Sequence, residues 1–216
     1  MRRRNTKDNH MPIFHIDYHT ESADTEIIEL IPPQAGLVPR ITAYSYTSAA
    51  SEHIVYFMRA IGETTAVGQS LTGQAIIEFA DVSIFKDTSG TDEDLNTDDY
   101  VCYMTAAGKC EWNKVSSLSG SAVTLANNLA EVVNAGAQIW TFGELARNMH
   151  VQHRPPVSAT SDHAGLNLQG GVPVQLDQYN VRSGIGDPML ITSNNATAAG
   201  VLRHVSGVYV LDTTVS

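Results

Sequence analysis

Residues 99–142 read DYVCYMTAAGKCEWNKVSSLSGSAVTLANNLAEVVNAGAQIWTF, and this stretch decides the fold class. Three strands and their turns follow almost without gaps: Asp99 to Thr105, Lys109 to Ser117 and Ser121 to Leu125, rich in the aromatic and β-branched residues that suit a pleated surface. Ala107-Gly108 and Ser119-Gly120 supply the turns, so the segment predicts a β-meander. Ala126 to Asn134 then places Leu129, Val132 and Val133 at partly helical spacing and is closed by Gly136, which predicts a short helical turn. Ala137 to Phe142 returns as a strand carrying Ile139, Trp140 and Phe142.

Working outward, Ile41 to Thr47, His53 to Ile61 and Ala75 to Phe85 are further strands. His53 to Ile61 sets Ile54, Tyr56 and Met58 against Val55, Phe57 and Ile61, so it is apolar on both faces. A strand with one wet face would alternate with polar residues, so two layers or a neighbouring subunit must cover it. Upstream, Pro32, Pro33 and Pro39 forbid a long helix, and residues 13–40 read as an extended lead-in with a strand at 25–31. Residues 86–98, KDTSGTDEDLNTD, have no period and concentrate like charge, as an exposed loop does. Downstream of 142, Pro155-Pro156, Gly170-Gly171 and Pro173 break the chain, leaving strands only at 172–181, 188–193 and 201–211. The organisation expected is an N-terminal arm and lead-in at 1–40, then a mainly β domain at 41–216. That domain is antiparallel, β-sandwich or jelly-roll-like, with the meander at 99–142 and a loop-rich portion at 143–216.

Composition narrows the functional classes. Charged residues are 17% of the 216, below the roughly 25% of ordinary soluble domains, while hydrophobic residues are 43%. A surface poor in charge and rich in Ala, Thr, Ser and Gly suits close subunit contacts, which points to an oligomer. The formal net charge of −10 argues against a nucleic-acid partner, since such binding rests on clustered Lys and Arg. The basic residues Arg2, Arg3, Arg4 and Lys7 gather in a polar segment, 1–12, without helical or strand period, an arm expected to order on a partner. No apolar run approaches the roughly 20 residues of a membrane span, so no membrane partner is expected, and without an apolar signal core the chain reads as soluble and unexported. Cys102 and Cys110 flank a turn: a loop centred on Ala106 would set them opposite each other, one centred on Ala107 would set Trp112 opposite Cys102. In an unexported chain free thiols are the expectation.

His15, Asp17 and His19 form an H-x-D-x-H run that would share one face of a strand, the spacing a metal site uses and also that of an ordinary polar edge. Strand edges produce this pattern more often than metal sites do, so no metal and no cofactor is expected. The chain has no G-x-S-x-G elbow, phosphate-cradling loop or H-E-x-x-H helix, and adjacent carboxylates such as Asp98 and Asp99 point apart on a strand. An enzyme is therefore not expected, and no catalytic residues are assigned.

The same stretch resembles a module of tailed-bacteriophage virion proteins. Asp99, Tyr100, Gly108, Trp112, Val115, Ser116, Ser119, Gly120, Val123, Thr124, Leu125, Leu129, Ala135, Gly136, Ile139 and Trp140 follow its order. Residues 187–210, DPMLITSNNATAAGVLRHVSGVYV, are similar to endings of such proteins through Asp187, Pro188, Leu190, Ile191, Ala199, Gly200, Ser206, Gly207 and Tyr209. The likeness covers about a third of the chain and is most like head decoration, or cement, proteins. It implies a non-catalytic homotrimer on the capsid exterior, made in the host cytoplasm, that binds across major capsid protein subunits. Arg2, Arg3, Arg4 and Lys7 are then the capsid-contact residues of the arm. Related modules in tail fibres and spikes imply the alternative, a receptor- or glycan-binding module in which Trp112 or Trp140 offers a sugar platform.

Overall fold

The computed structural model describes residues 13–20, 28–48, 55–83, 85–86, 92–144, 152–153, 162–166, 184–193 and 203–212. Every regular element among them is a strand: β1 (Ile13–Thr20), β2 (Glu29–Ile31), β3 (Val38–Ser48), β4 (Val55–Arg59), β5 (Gly62–Thr65), β6 (Ile76–Glu78), β7 (Phe85–Lys86), β8 (Asp92–Glu93), β9 (Tyr100–Met104), β10 (Cys110–Ser119), β11 (Ala122–Leu125), β12 (Gln138–Gly143), β13 (Gln152–His153), β14 (Asp162–Leu166), β15 (Met189–Ser193) and β16 (Arg203–Asp212). They form an outer sheet β1-β16-β3-β14, a middle sheet β13-β4-β15-β2, a six-stranded sheet β5-β12-β9-β10-β11-β6 and the small pair β7-β8. All strand pairings among the described residues are antiparallel, and the fold is mainly β, as expected.

The middle sheet explains the doubly apolar strands. On β4, Phe57 packs with Ile16, Ile31, Ile41 and Val205 toward the outer sheet, while its neighbour Met58 packs with Tyr100, Cys102, Trp140 and Phe142 of the six-stranded sheet. On β15, Met189 and Ile191 join the first cluster and Leu190 the second. Strand alternation sends successive side chains to opposite faces, so a sheet covered on both sides needs apolar residues at every position.

The six-stranded sheet rolls on itself, and the meander shows why. Gly108 has φ 75° and closes β9 onto β10, with Thr105 N–H bonded to Lys109 O at 2.8 Å and Gly108 N–H to Thr105 O at 2.9 Å. This is a type I turn followed by a left-handed residue, a position that favours glycine. β10 pairs with β9 through Cys110–Lys114 and with β11 from Val115 onward, and a register shift between Val115 and Ser117 bends it at the change of partner. The sheet's outer strands then approach: Ala66 bridges Phe79, and Val67 N–H reaches Glu78 O at 2.8 Å. The interior of the roll holds Ile77, Phe79, Val101, Tyr103, Val123, Leu125 and Ile139.

Four expectations change. Residues 126–134 are not helical: Leu129 and Val133 are buried in the roll, and the backbone bonds go to distant partners, with Leu129 N–H on Gln74 O at 2.7 Å and Val133 N–H on Ser70 O at 2.9 Å. Those partners replace the bonds a helix would make within itself. Cys102 and Cys110 are not free thiols but a disulfide with Cα atoms 6.5 Å apart. The loop is centred on Ala107, so Cys102 stands opposite Trp112 and Cys110 opposite Met104, and the sulfurs meet along the diagonal of one face. Within 13–40, where residues 21–27 lie outside the described residues, β1, β2 and the start of β3 are not a mere lead-in but lie within the sheets, with Ile16, Ile31 and Val38 buried. Within the acidic loop, Asp92 and Glu93 form β8, and Asn96 N–H is held at 2.7 Å by Oδ2 of the buried Asp99 just after it. The strands expected at 188–193 and 201–211 are β15 and β16; that at 172–181 lies outside the described residues.

Candidate binding surfaces

Arg2, Arg3, Arg4 and Lys7 lie outside the described residues. The H-x-D-x-H run lies on β1, where His15, Asp17 and His19 are all exposed on one face. Ladder register sets His19 opposite His204 and Asp17 opposite Ser206. His204 Nε2 reaches diagonally to Asp17 Oδ1 at 2.8 Å. Among the described residues no group of three or more His, Cys, Asp or Glu side chains converges as a metal centre would. The run is an edge-strand face tied to its neighbour by one imidazole–carboxylate contact.

A second polar region lies where β15 begins. Gly184-Ile185-Gly186 turn the chain, with Gly186 N–H on Leu37 O at 2.8 Å, and deliver Asp187 into a pocket of about 340 Å³ lined by Ala60, Ile61, Gly62, Glu63 and Ile185. A Cβ at Gly184 would lie 2.3 Å from Asp187 Oδ2, so only glycine leaves room for the carboxylate there. Burial, and after it the charge of Glu63, holds the Asp187 carboxyl above the usual carboxylate range, against the indole N–H of Trp140 and the Arg59 charge, which pull it down. Glu29 is raised as well, by burial first and then by Asp17. The carboxylate is held as part of the packing of Trp140.

Both shifts have the same sign. A carboxyl whose folded pKa is raised contributes stability at acid pH, below about 4 where the unfolded group titrates, and loses it as pH rises through the folded value. The unfolding free energy of the native chain, relative to a Glu29→Gln/Asp187→Asn variant, is therefore expected to fall as pH is taken from acid toward neutral. Urea titrations across that range measure it, and a difference independent of pH would contradict the burial of these carboxyls.

A third surface is the open groove of about 420 Å³ on the outside of the roll, lined by Gly68, Gln69, Ser70, Gln74, Ala75, Ile76 and Glu78. Val67, Leu71 and Ile76 are exposed beside or within it. Of the two tryptophans named for a sugar platform, Trp140 is 6% exposed, while Trp112 is half-buried, tilted against Tyr100 with ring centroids 6.4 Å apart. Composition could not have separated the two: both stand opposite Cys102 and face the middle sheet, but Trp140 lies inside the cluster there and Trp112 at its rim.

No family model matches the chain, and no curated protein matches it. Among solved structures, the VP16-VP17 complex of the two major capsid proteins of bacteriophage P23-77 aligns over 93% of this chain and 99% of that chain, at 6% identity and a TM-score of 0.20. A structure of infectious bursal disease virus, Gt strain, aligns over 94% of this chain and 42% of that one, at 10% identity and a TM-score of 0.12. The infectious bursal disease virus VP2 subviral particle aligns over 94% and 41%, at 12% identity and 0.12. Scores this low do not establish a shared fold.

Proposed function

We propose that the chain is a virion structural protein that decorates and stabilises a capsid by binding across major capsid protein subunits, without catalysis. The observation that carries this reading is where the residues of the phage-virion resemblance fall. Gly108, Gly120 and Gly136 all have positive φ at turns of the rolled sheet, and Val115, Val123, Leu125, Leu129 and Ile139 are buried in its interior. Asp187, Leu190 and Ile191 start and fill the middle layer. The motif is thus a set of fold-forming positions, the kind a packing module retains. Its product is shape: a clamp that buries surface across capsomer joints stabilises the shell by mass action, with no turnover.

On this reading the chain is a homotrimer seated on the capsid exterior, and the basic arm with Arg2, Arg3, Arg4 and Lys7 reaches the major capsid protein. Deleting residues 1–10 is expected to leave the urea midpoint unchanged and to lower occupancy on capsids, scored by co-sedimentation with expanded empty heads. Full occupancy without the arm rejects its role. Binding to host glycans with no affinity for heads rejects the capsid assignment itself.

A further inference from the structure

β1 is the last strand of the outer sheet, and among the described residues no strand pairs with its far edge. Natural proteins ordinarily blunt such an edge with Pro, Lys, a bulge or a very short strand. β1 has none of these: IFHIDYHT runs for 8 residues and pairs with β16 without a register shift. Its faces are cleanly divided. Ile16 is in the core, Tyr18 packs against it and Phe14 stacks on Tyr209 with centroids 5.0 Å apart, while Ile13, His15, Asp17 and His19 are exposed.

The strand is complementary to itself in one antiparallel register. With a two-fold axis at Ile16, Phe14 faces Tyr18 of the second copy and Ile16 faces its own counterpart, which extends the core cluster across the junction. On the other face His15 meets Asp17 of the second copy, and symmetry repeats the pair. Moving the axis to Asp17 opposes two carboxylates and sets His15 against His19; moving it to His15 opposes two imidazoles and leaves Asp17 against Ile13. Registers between these would oppose core residues to exposed ones. Aromatic and imidazole–carboxylate cross-strand pairs favour the axis at Ile16, opposed carboxylates disfavour the axis at Asp17, and the axis at His15 leaves Asp17 against an apolar side chain. The existing Asp17–His204 contact does not conflict, because a carboxylate accepts several hydrogen bonds.

We propose that β1 is a self-association edge, through which a second copy of this chain pairs antiparallel about Ile16 and merges two outer sheets into one. The contact is two-fold, so it is separate from the threefold assembly proposed above and does not rest on the capsid reading.

Sedimentation of the full chain over a concentration series tests it, with H15E and D17K alongside. H15E places two carboxylates opposite each other at both symmetric positions, and D17K removes the carboxylate that His15 would meet. Each is expected to weaken association by about tenfold or more, and H15E, which leaves the Asp17–His204 contact intact, to keep the native thermal midpoint at concentrations where the native chain is a monomer. An equimolar mixture of the two is expected to recover it, since Glu at 15 of one copy then faces Lys at 17 of the other. H15E leaves Asp17–His204 in place and decides the matter alone should D17K not fold. A native chain that shows no concentration-dependent doubling of mass, an H15E variant that associates as the native chain does, or a mixture of folded variants that fails to recover would each overturn the proposal.

Discussion

Replacing Trp140 by alanine is expected to lower the unfolding free energy by about 3–5 kcal/mol in a urea titration. Its indole lies between the six-stranded and middle sheets among Met58, Tyr100, Phe142 and Leu190, and its N–H serves the half-buried Asp187. Truncation would both open a cavity at that junction and remove a donor from a carboxylate already penalised by burial. Trp112→Ala should cost only about 1–2 kcal/mol, because that ring covers the cluster from its rim and is partly wet already. The comparison carries the information: equal losses, or a larger loss at Trp112, would mean that the two strands do not meet the middle sheet as described.

The middle sheet gives the second large effect. Leu190→Ala and Ile191→Ala, at adjacent positions of β15, are each expected to cost about 2–4 kcal/mol. Both residues are 0% exposed, yet they face opposite ways, Leu190 toward Trp140 and Phe142 and Ile191 toward Ile16, Phe57 and Val205. In a two-layer sandwich one of two neighbouring strand residues looks toward solvent and tolerates truncation. Two comparable losses support three stacked layers, and a loss at only one position would reduce them to two.

What was legible in the sequence follows the range of the forces involved. A turn needs only a few residues and one permissive backbone, so Gly108 and Gly120, with φ of 75° and 61°, mark the hairpins that their neighbours predict. Strands β9, β10, β11 and β12 were readable for the same reason. The apolar character of both faces of residues 53–61 likewise announced cover on two sides without saying by what. Residues 126–134 misled because three apolar positions at near-helical spacing fit equally an extended loop whose side chains drop into a cavity.

Residue order alone therefore determined the class, antiparallel β with the meander at its centre, because side-chain alternation and glycine conformation act within a few residues. Tertiary structure alone decided which face met which layer, that the loop centred on Ala107 brings Cys102 to Cys110 diagonally, that Trp140 and not Trp112 is deeply buried, and that His15, Asp17 and His19 stand along an open strand edge. Those outcomes depend on contacts between segments far apart along the chain, such as β1 with β16, whose loop-closure cost and packing gain no local pattern records.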